Sequence, residues 1–423
     1  MEKIIFHVDV NSAFLSWTAA HRVLVLGETL DLRTVPAVVA GERAERRSII
    51  LAKSIPAKKY GIQTGEPVGR ALDKCPGLTV VKPDYELYVT ASRQLIALLR
   101  EFSPTVEQYS IDEAWVDMTG TTRLFGPPTL AAETMKNRIR DELGFTVNIG
   151  ISSNKLLAKV ASDFEKPDKV HTLFPNEIRG KLWPLPVREL FSVGPATERK
   201  LREIGVRTVG QLAQTDPALL RRRLYKPGEI LWHFANGRAS DRLLAAPEAN
   251  KGYGNSMTTP WDVTAWEDAR QVLLSLCETV GMRLRRDGKQ AALAAVSIRT
   301  TDFCDAARQR SLASATNVTE ELYRASCAVL AELWDRKTPL RQLGVRVGKV
   351  TADGAWQYSL FDPKDFVRME KLDAAVDAIR EKYGEDAIRR ARFLGGGVAG
   401  SMAGGLSKER RTGVTKPVPA EIY

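Results

Sequence analysis

The chain has 423 residues, enough for two to four domains with real cores, and its 44% hydrophobic content is that of a globular protein. No apolar run approaches the roughly 20 residues of a membrane span, and the four cysteines, Cys75, Cys277, Cys304 and Cys327, show no CxxC pairing, so a membrane partner, a disulfide scaffold and a zinc ribbon are not expected and a reducing cytoplasm is. The net charge of +11 points to a polyanionic partner, with a solvated basic surface as the plainer alternative; residues 178–350 hold 28 Lys plus Arg against 18 Asp plus Glu, so the surplus belongs to the second half.

The chain opens on KIIFHVDVNSAF, an apolar run too short for a signal-peptide core that puts a lone acid, Asp9, near the end of a buried strand. His7 shares a strand face with Asp9 and reads as a buried, hydrogen-bonded side chain rather than a ligand. NSAFLSWTAAHRVL has helical spacing, with Asn11 or Ser12 as N-cap and Phe14 in the first turn, where an ordinary core aromatic would also sit. TVPAVVAG reads as a strand, Ser48–Ala52 as another, and Pro56–Tyr60 as a short helix ended by Gly61, carrying Lys58 and Lys59 on a face that could simply be solvated.

From Gly77 strands and helices alternate: LTVVKPD, a helix at about Leu87–Phe102, then YSIDEAWVD at 109–117. There Asp112 and Glu113 interrupt a strongly β-forming segment, and burying such a pair costs several kcal/mol unless a cation or hydrogen bonds compensate. Taken alone the pair reads as a solvated hairpin tip. With Asp9 it makes three carboxylates at strand ends, an oxygen donor set without clustered His or Cys that suits Mg²⁺ or Mn²⁺ rather than zinc, and phosphoryl chemistry at a two-ion site follows. Because neighbouring strand residues face opposite ways, a hairpin tip or bulge is required for Asp112 and Glu113 to share a site.

A helix at about Thr129–Leu143, the strand TVNIGIS and the helix NKLLAKVASDF follow, the last capped by Ser152 or Ser153, with Lys155, Lys159 and Asp163 on one face as a solvated salt-bridge row. LPVRELFSVGPATERKLREIGVRTVGQLAQ has the form helix, VGP turn, helix, GV, helix; Gly194 and Gly205 supply turns where amides can approach a phosphate, beside Arg199, Lys200 and Arg202. AAPEANKG reads as a linker. Residues 251–350 then read strand, helix (264–287), strand (291–301), strand (308–314), helix (319–335), strand (341–349). QYSLF at 357–361 places Gln357, Leu360 and Phe361 at the spacing of a short peptide that fills a preformed pocket. Val367, Met369, Leu372, Val376, Ile379 and Tyr383 form an apolar stripe expected to pack on the chain itself, a second short helix is expected at about Asp386–Leu394, and the Gly-rich basic end is expected to be disordered.

The motifs VDVNSAF, SIDEAWVD, GISSNKLLAKVASDFEKP and QYSLF, in this order and spacing, resemble the Y-family of translesion DNA polymerases on the bacterial branch of DNA polymerases IV and V, from the N-terminus to about residue 362. The resemblance implies an α+β multidomain, right-hand fold: palm at 1–10 and 77–166, small fingers at 11–76, a helix-hairpin-helix thumb at 167–243, linker at 244–250, a βαββαβ little finger at 251–352, and a C-terminal extension at 353–423 with a clamp-binding motif at 357–361. It implies that Asp9, Asp112 and Glu113 are catalytic and hold two Mg²⁺ ions with the carbonyl of Val10, that Phe14 is the steric gate against a ribose 2′-hydroxyl, and that Lys58 and Lys166 contact the triphosphate. The thumb residues Gly194, Arg199, Lys200 and Gly205 would grip the DNA backbone.

Primer–template DNA, deoxynucleoside triphosphates and the bacterial sliding clamp are the implied partners of a monomer that works in the cytoplasm at the nucleoid, error-prone, tolerant of damaged templates and without proofreading. Lys58 stands where the family usually has arginine and Ile55 where it usually has tyrosine; a point charge without arginine's planar fork keeps triphosphate contact while loosening its geometry. The alternatives are a non-catalytic DNA-binding accessory, which should have lost some of the carboxylates, and a palm-type nucleotide cyclase, which would have no use for the basic second half.

Overall fold

The opening apolar run folds as β1 (Ile5–Val10), and the register of its two antiparallel neighbours decides which side chains face the core and which do not. The structure is a computed structural model that describes residues 3–41, 48–239, 243, 250–352, 366–384 and 387–393. By its internal contacts it divides into two compact units, essentially residues 3–243 and 250–393. Gln357, Leu360 and Phe361, the linker before Asn250 and the end of the chain lie outside the described residues.

In the first unit β1 leads into α1 (Ala13–Leu24). Ser12 adopts a left-handed conformation with no side-chain cap bond, so neither expected cap residue caps this helix; the Asn11 side chain is bonded instead to Thr146, Asn148 and the Asp168 amide. β2 (Ala37–Ala40), β3 (Ile50–Lys53) and β4 (Thr79–Val81) form a small sheet in the order β3-β2-β4. Between β3 and β4 lie α2 (Ile55–Lys59), capped by the Ser54 hydroxyl, and α3 (Val68–Lys74), which close a small core with Val38, Ile50 and Ile62. Gly61 follows α2 at φ +71°, where a side chain would be strained.

α4 (Tyr85–Phe102) is capped by Asp84 and leads to the hairpin of β5 (Val106–Gln108) and β6 (Glu113–Asp117). Then come α5 (Thr122–Phe125), α6 (Pro128–Leu143), β7 (Val147–Ser152), α7 (Lys155–Ser162) and β8 (Val170–Thr172). The large sheet runs β5-β6-β1-β7-β8, antiparallel except for β7 and β8. Phe6, Val8, Ala114, Val116, Ile149 and Ile151 point to one side, into a core completed by α1, α4 and α6.

α7 covers the other side, where Ile5, Trp115 and Ala158 meet. Its close approach depends on Gly150, because a Cβ there would run into the Ala158 carbonyl and the Ser162 amide. α7 is capped by Asn154, whose side chain accepts from the Leu157 amide, and not by Ser152 or Ser153: Ser152 is buried at the end of β7 and donates to the Leu173 carbonyl. Four helices complete the unit, α8 (Pro195–Glu203), α9 (Val209–Gln214), α10 (Pro217–Leu224) and α11 (Lys226–Ala235). The helix expected before the VGP turn is a single 3₁₀ turn at Val187–Glu189.

The second unit is β9 (Gly252–Val263), α12 (Trp266–Arg286), β10 (Lys289–Thr300), β11 (Asp305–Thr316), α13 (Thr319–Leu333) and β12 (Leu340–Ala352), an antiparallel sheet in the order β11-β10-β12-β9. Its core joins one face of that sheet to α12 and α13. α14 (Phe366–Tyr383) adds to it against expectation: Val367, Leu372, Ile379 and Tyr383 of the apolar stripe are 45%, 57%, 36% and 67% exposed, while Asp373 is buried. Of the second short helix, only a 3₁₀ turn at Ala391–Phe393 is found among the described residues.

Candidate active site

The two strand ends that carry acids meet at one end of the inner strands β1 and β6 of the large sheet. Asp9 stands directly opposite Glu113 in the β1–β6 ladder, and the Val10 amide donates to the Asp112 carbonyl at 3.1 Å. The chain between β5 and β6 turns over residues 109–112, with the Tyr109 amide closing back on the Glu113 carbonyl at 3.0 Å, so Asp112 lies in the turn and Glu113 opens the strand. That is the hairpin tip the alternation of a strand requires. Asp9, His7, Glu113 and Trp115 occupy the sheet face under α7, and Asp112 is oriented by Ser110, whose hydroxyl donates to Oδ1 at 2.6 Å.

Asp9, Val10 and Asp112 form part of a cavity of about 580 Å³, with Phe14 on α1, Leu51 and Lys53 on β3, Ile55 and Lys58 on α2, and Lys166 and Pro167 after α7. Phe14 stacks on Tyr88 with ring centres 4.4 Å apart and planes 6° apart, and meets Tyr85 edge-on, so its ring is held rather than free to swing. Asn11 joins the two sides of the floor: its Oδ1 accepts from Thr146 Oγ1 and the Asp168 amide, both at 3.0 Å, and its Nδ2 donates to Asn148 Oδ1 at 3.1 Å. Asn148 in turn donates to the Ser162 and Glu165 carbonyls, which ties the segment bearing Lys166 to β7.

The acids have different electrostatic settings. Burial pushes the Asp9 carboxyl up to about 6, against the opposing pull of Lys166, whose Nζ is 2.7 Å from Oδ2 and 2.8 Å from Asp163. Burial also disfavours the charge on Glu113, but the neighbouring His7 and the hydrogen bond and charge of Lys159 outweigh it and bring that carboxyl down to about 2. His7 is fully buried, its Nδ1 2.8 Å from Ser162 Oγ and its Nε2 3.4 Å from Glu113, and burial lowers its pKa. Among the described residues no group of three or more His, Cys, Asp or Glu side chains stands close enough to hold one metal ion. The donors nevertheless fit a hard divalent cation: all are oxygens, two face one cavity, and Asp9 is a buried carboxylate whose desolvation Lys166 only partly offsets.

The expected solvated row on α7 is corrected. Lys159 is buried and ion-paired to Glu113, and Lys155 reaches Glu107 at 2.6 Å across the face of Trp115. Lys159, His7 and Ser162 are the site residues that sequence reasoning passed over. The available signal was the strand alternation placing His7 with Asp9, together with a helix following a strand whose Gly150 permits close packing. Lys58 lies on the cavity wall, and Ile55 beside it is half exposed.

Farther along, Gly194 precedes α8 in extended conformation, Gly205 turns the chain at φ +83°, and Arg199 and Lys200 are exposed on α8. These are remote in sequence from the acids and do not line their cavity.

Comparison with known proteins agrees over nearly the whole length. The impB/mucB/samB family model matches residues 8–163, its helix-hairpin-helix motif residues 175–206 and its C-terminal domain residues 250–360. The chain is 43% identical over 394 residues to DNA polymerase IV of Clostridium acetobutylicum, covering 93% of this chain and 99% of that one. It is 37% identical to DNA polymerase IV of Acetivibrio thermocellus, covering 93% and 98%, and 35% identical to DNA polymerase IV 2 of Bacillus subtilis, covering 93% and 95%. A solved Y-family DNA polymerase chimera superposes with a TM-score of 0.70 at 20% identity, over 83% of this chain and 100% of that one, a likeness of fold. The chain therefore belongs to the impB/mucB/samB family, the Y-family DNA polymerases of the DNA polymerase IV type.

Proposed function

We propose that this chain, a DNA-directed DNA polymerase by its family, extends a primer on damaged as well as intact template by in-line transfer of a nucleotidyl group onto the primer 3′-hydroxyl, releasing pyrophosphate. The observation that carries this reading is the cavity that holds Asp9 and Asp112 at its floor, the fixed ring of Phe14 at its side, and Lys58 and Lys166 on its walls. Asp9, Asp112 and Glu113, with the Val10 carbonyl, would hold two Mg²⁺ ions, Mn²⁺ being an alternative. When bound, such ions supply Lewis-acid stabilisation of the charge that develops on the transferring phosphoryl group.

The chain's own residues do the positioning. Lys58 and Lys166 would bind triphosphate oxygens, and Asp9, paired here with Lys166, would be one of the carboxylates that hold the ions. Phe14, backed by Tyr88, occupies the space a ribose 2′-hydroxyl would need. We assign residues 1–10 and 77–166 as palm, 11–76 as fingers, 167–243 as thumb and 251–352 as little finger, with Gly194, Arg199, Lys200 and Gly205 gripping the DNA backbone. Gln357, Leu360 and Phe361 recruit the sliding clamp, the enzyme works as a monomer in the cytoplasm at the nucleoid, and its synthesis is error-prone. No helix among the described residues is long and apolar enough to cross a membrane, which is compatible with that placement.

The test is primer extension on an undamaged primed template with four deoxynucleotides and Mg²⁺, comparing wild type with Asp112→Ala. Extension by the wild type alone is expected. If neither protein extends the primer while both bind DNA, the metal-site assignment is wrong and an accessory role takes its place.

A further inference from the structure

Glu113 is the one proposed ligand that does not line the cavity. Its carboxylate is taken by Lys159, a buried ammonium that α7 delivers to the same sheet face. Lys159 is itself held by two aromatic rings: its Nζ stands 5.3 Å from the centre of Tyr109, in the turn of the acidic hairpin, and 5.7 Å from the centre of Phe191, in the segment before α8. A buried ammonium with a carboxylate on one side and ring faces on others is not a surface lysine that happens to meet an acid. It is a fixed cation on the one proposed ligand that stands outside the cavity.

We propose, on the reading that Asp9, Asp112 and Glu113 hold divalent ions, that Lys159 is a positioning residue for Glu113. It is the resident counter-ion that keeps this carboxylate turned from the cavity, and it must yield before Glu113 can ligate a metal. Asp9 and Asp112 already face the cavity, so the ion they hold has to displace Lys166 from Asp9 but not Lys159 from Glu113. Lys159 is the more deeply buried of the two lysines, whereas Lys166 is partly exposed and shared with Asp163, so the step at Glu113 is the weaker one and it alone is under the control of Lys159. His7 Nε2 stands 3.4 Å from the same Glu113 oxygen.

The test is Mn²⁺ binding to the full chain without nucleotide or DNA, followed by the electron paramagnetic resonance of free Mn²⁺. Lys159→Gln keeps a hydrogen-bond donor near Glu113 but removes the charge; it is expected to tighten the weaker step about tenfold while leaving the tighter step in place. Lys159→Arg, which restores the charge, is expected to return the weaker step to the wild-type range. A purely structural lysine would lower the melting temperature without tightening metal binding, and an unchanged or weakened second step in Lys159→Gln overturns the proposal.

Should that variant fail to fold, Phe191→Leu removes one wall of the cage from outside the hairpin and is expected to tighten the weaker step about twofold; no change there is equally adverse. If the wild type binds no Mn²⁺ at all, the metal reading itself is lost. If it binds two ions and only the Lys159 and Phe191 effects are missing, the failure belongs to this inference alone.

Discussion

Asp9 shows how burial at one residue sets a pH dependence. Its carboxyl is raised by desolvation from an ordinary value of 3.8 to about 6, with Lys166 only partly offsetting the effect. Between those two values the folded chain keeps a proton that the unfolded chain has released, so stability falls as pH rises through that window and stays low above it. In EDTA, Asp9→Asn is therefore expected to be more resistant to urea than wild type at pH 8, with the advantage gone by pH 4. An advantage that is equal at both pH values would show that Asp9 is not strained by its charge. Phe14 makes a prediction of a different kind: because Tyr88 and Tyr85 hold the ring, Phe14→Ala opens space without moving a neighbour into it, and ribonucleotide incorporation is expected to rise at least about tenfold. An unchanged sugar preference in single-nucleotide insertion would remove Phe14 from the gate.

At the scale of elements, α14 is placed by charge rather than by the apolar spacing that marks it as a helix. α14 lies on the second unit through Asp373 and Asp377, which meet Arg285 at 3.2 and 2.6 Å, and through Arg380, which meets Glu278 at 3.3 Å. Asp373 also accepts from the Thr319 amide at 2.7 Å, at the start of α13, so one buried carboxylate ties three helices together. Removing it leaves Arg285 buried with less compensation. Asp373→Ala is expected to destabilise the second unit by about 3 kcal/mol in denaturant titration, and Leu372→Ala, on the exposed stripe, by no more than about 0.5 kcal/mol. The opposite ranking would mean that the apolar stripe is the packed face.

The whole molecule joins a first unit that carries the acids to a second that carries none of them. The basic surplus lies in residues 178–350, across the helical end of the first unit and the second unit, apart from the strand ends where Asp9, Asp112 and Glu113 stand. On the proposed reading, contacts to phosphates there would add affinity without taking part in the chemistry, and the proposed clamp peptide would act as a tether that raises the local concentration of primer ends. Replacing Leu360 and Phe361 by alanine is expected to abolish stimulation of primer extension by the sliding clamp, with clamp-free synthesis continuing. Persistent stimulation would place the clamp contact elsewhere.

Local signals were enough to read many of the strands and helices in order, and the family, because alternation, turn glycines and short motifs are written in neighbouring residues. The two-by-two arrangement of strands and helices in the second unit follows from the same kind of pattern. Caps were less legible: Asn154 rather than Ser152 or Ser153 caps α7, and Asn11 bonds across the sheet edge, since which polar side chain turns back on its own helix depends on what else it can reach. Only the tertiary structure decided that Lys159, 46 residues from Glu113 in sequence, is its buried partner, and that α14 turns its acids inward and its apolar stripe outward. The physical reason is common to both cases: helical spacing says which side chains share a face, but which face is buried is set by the partners that folding brings to it from far along the chain.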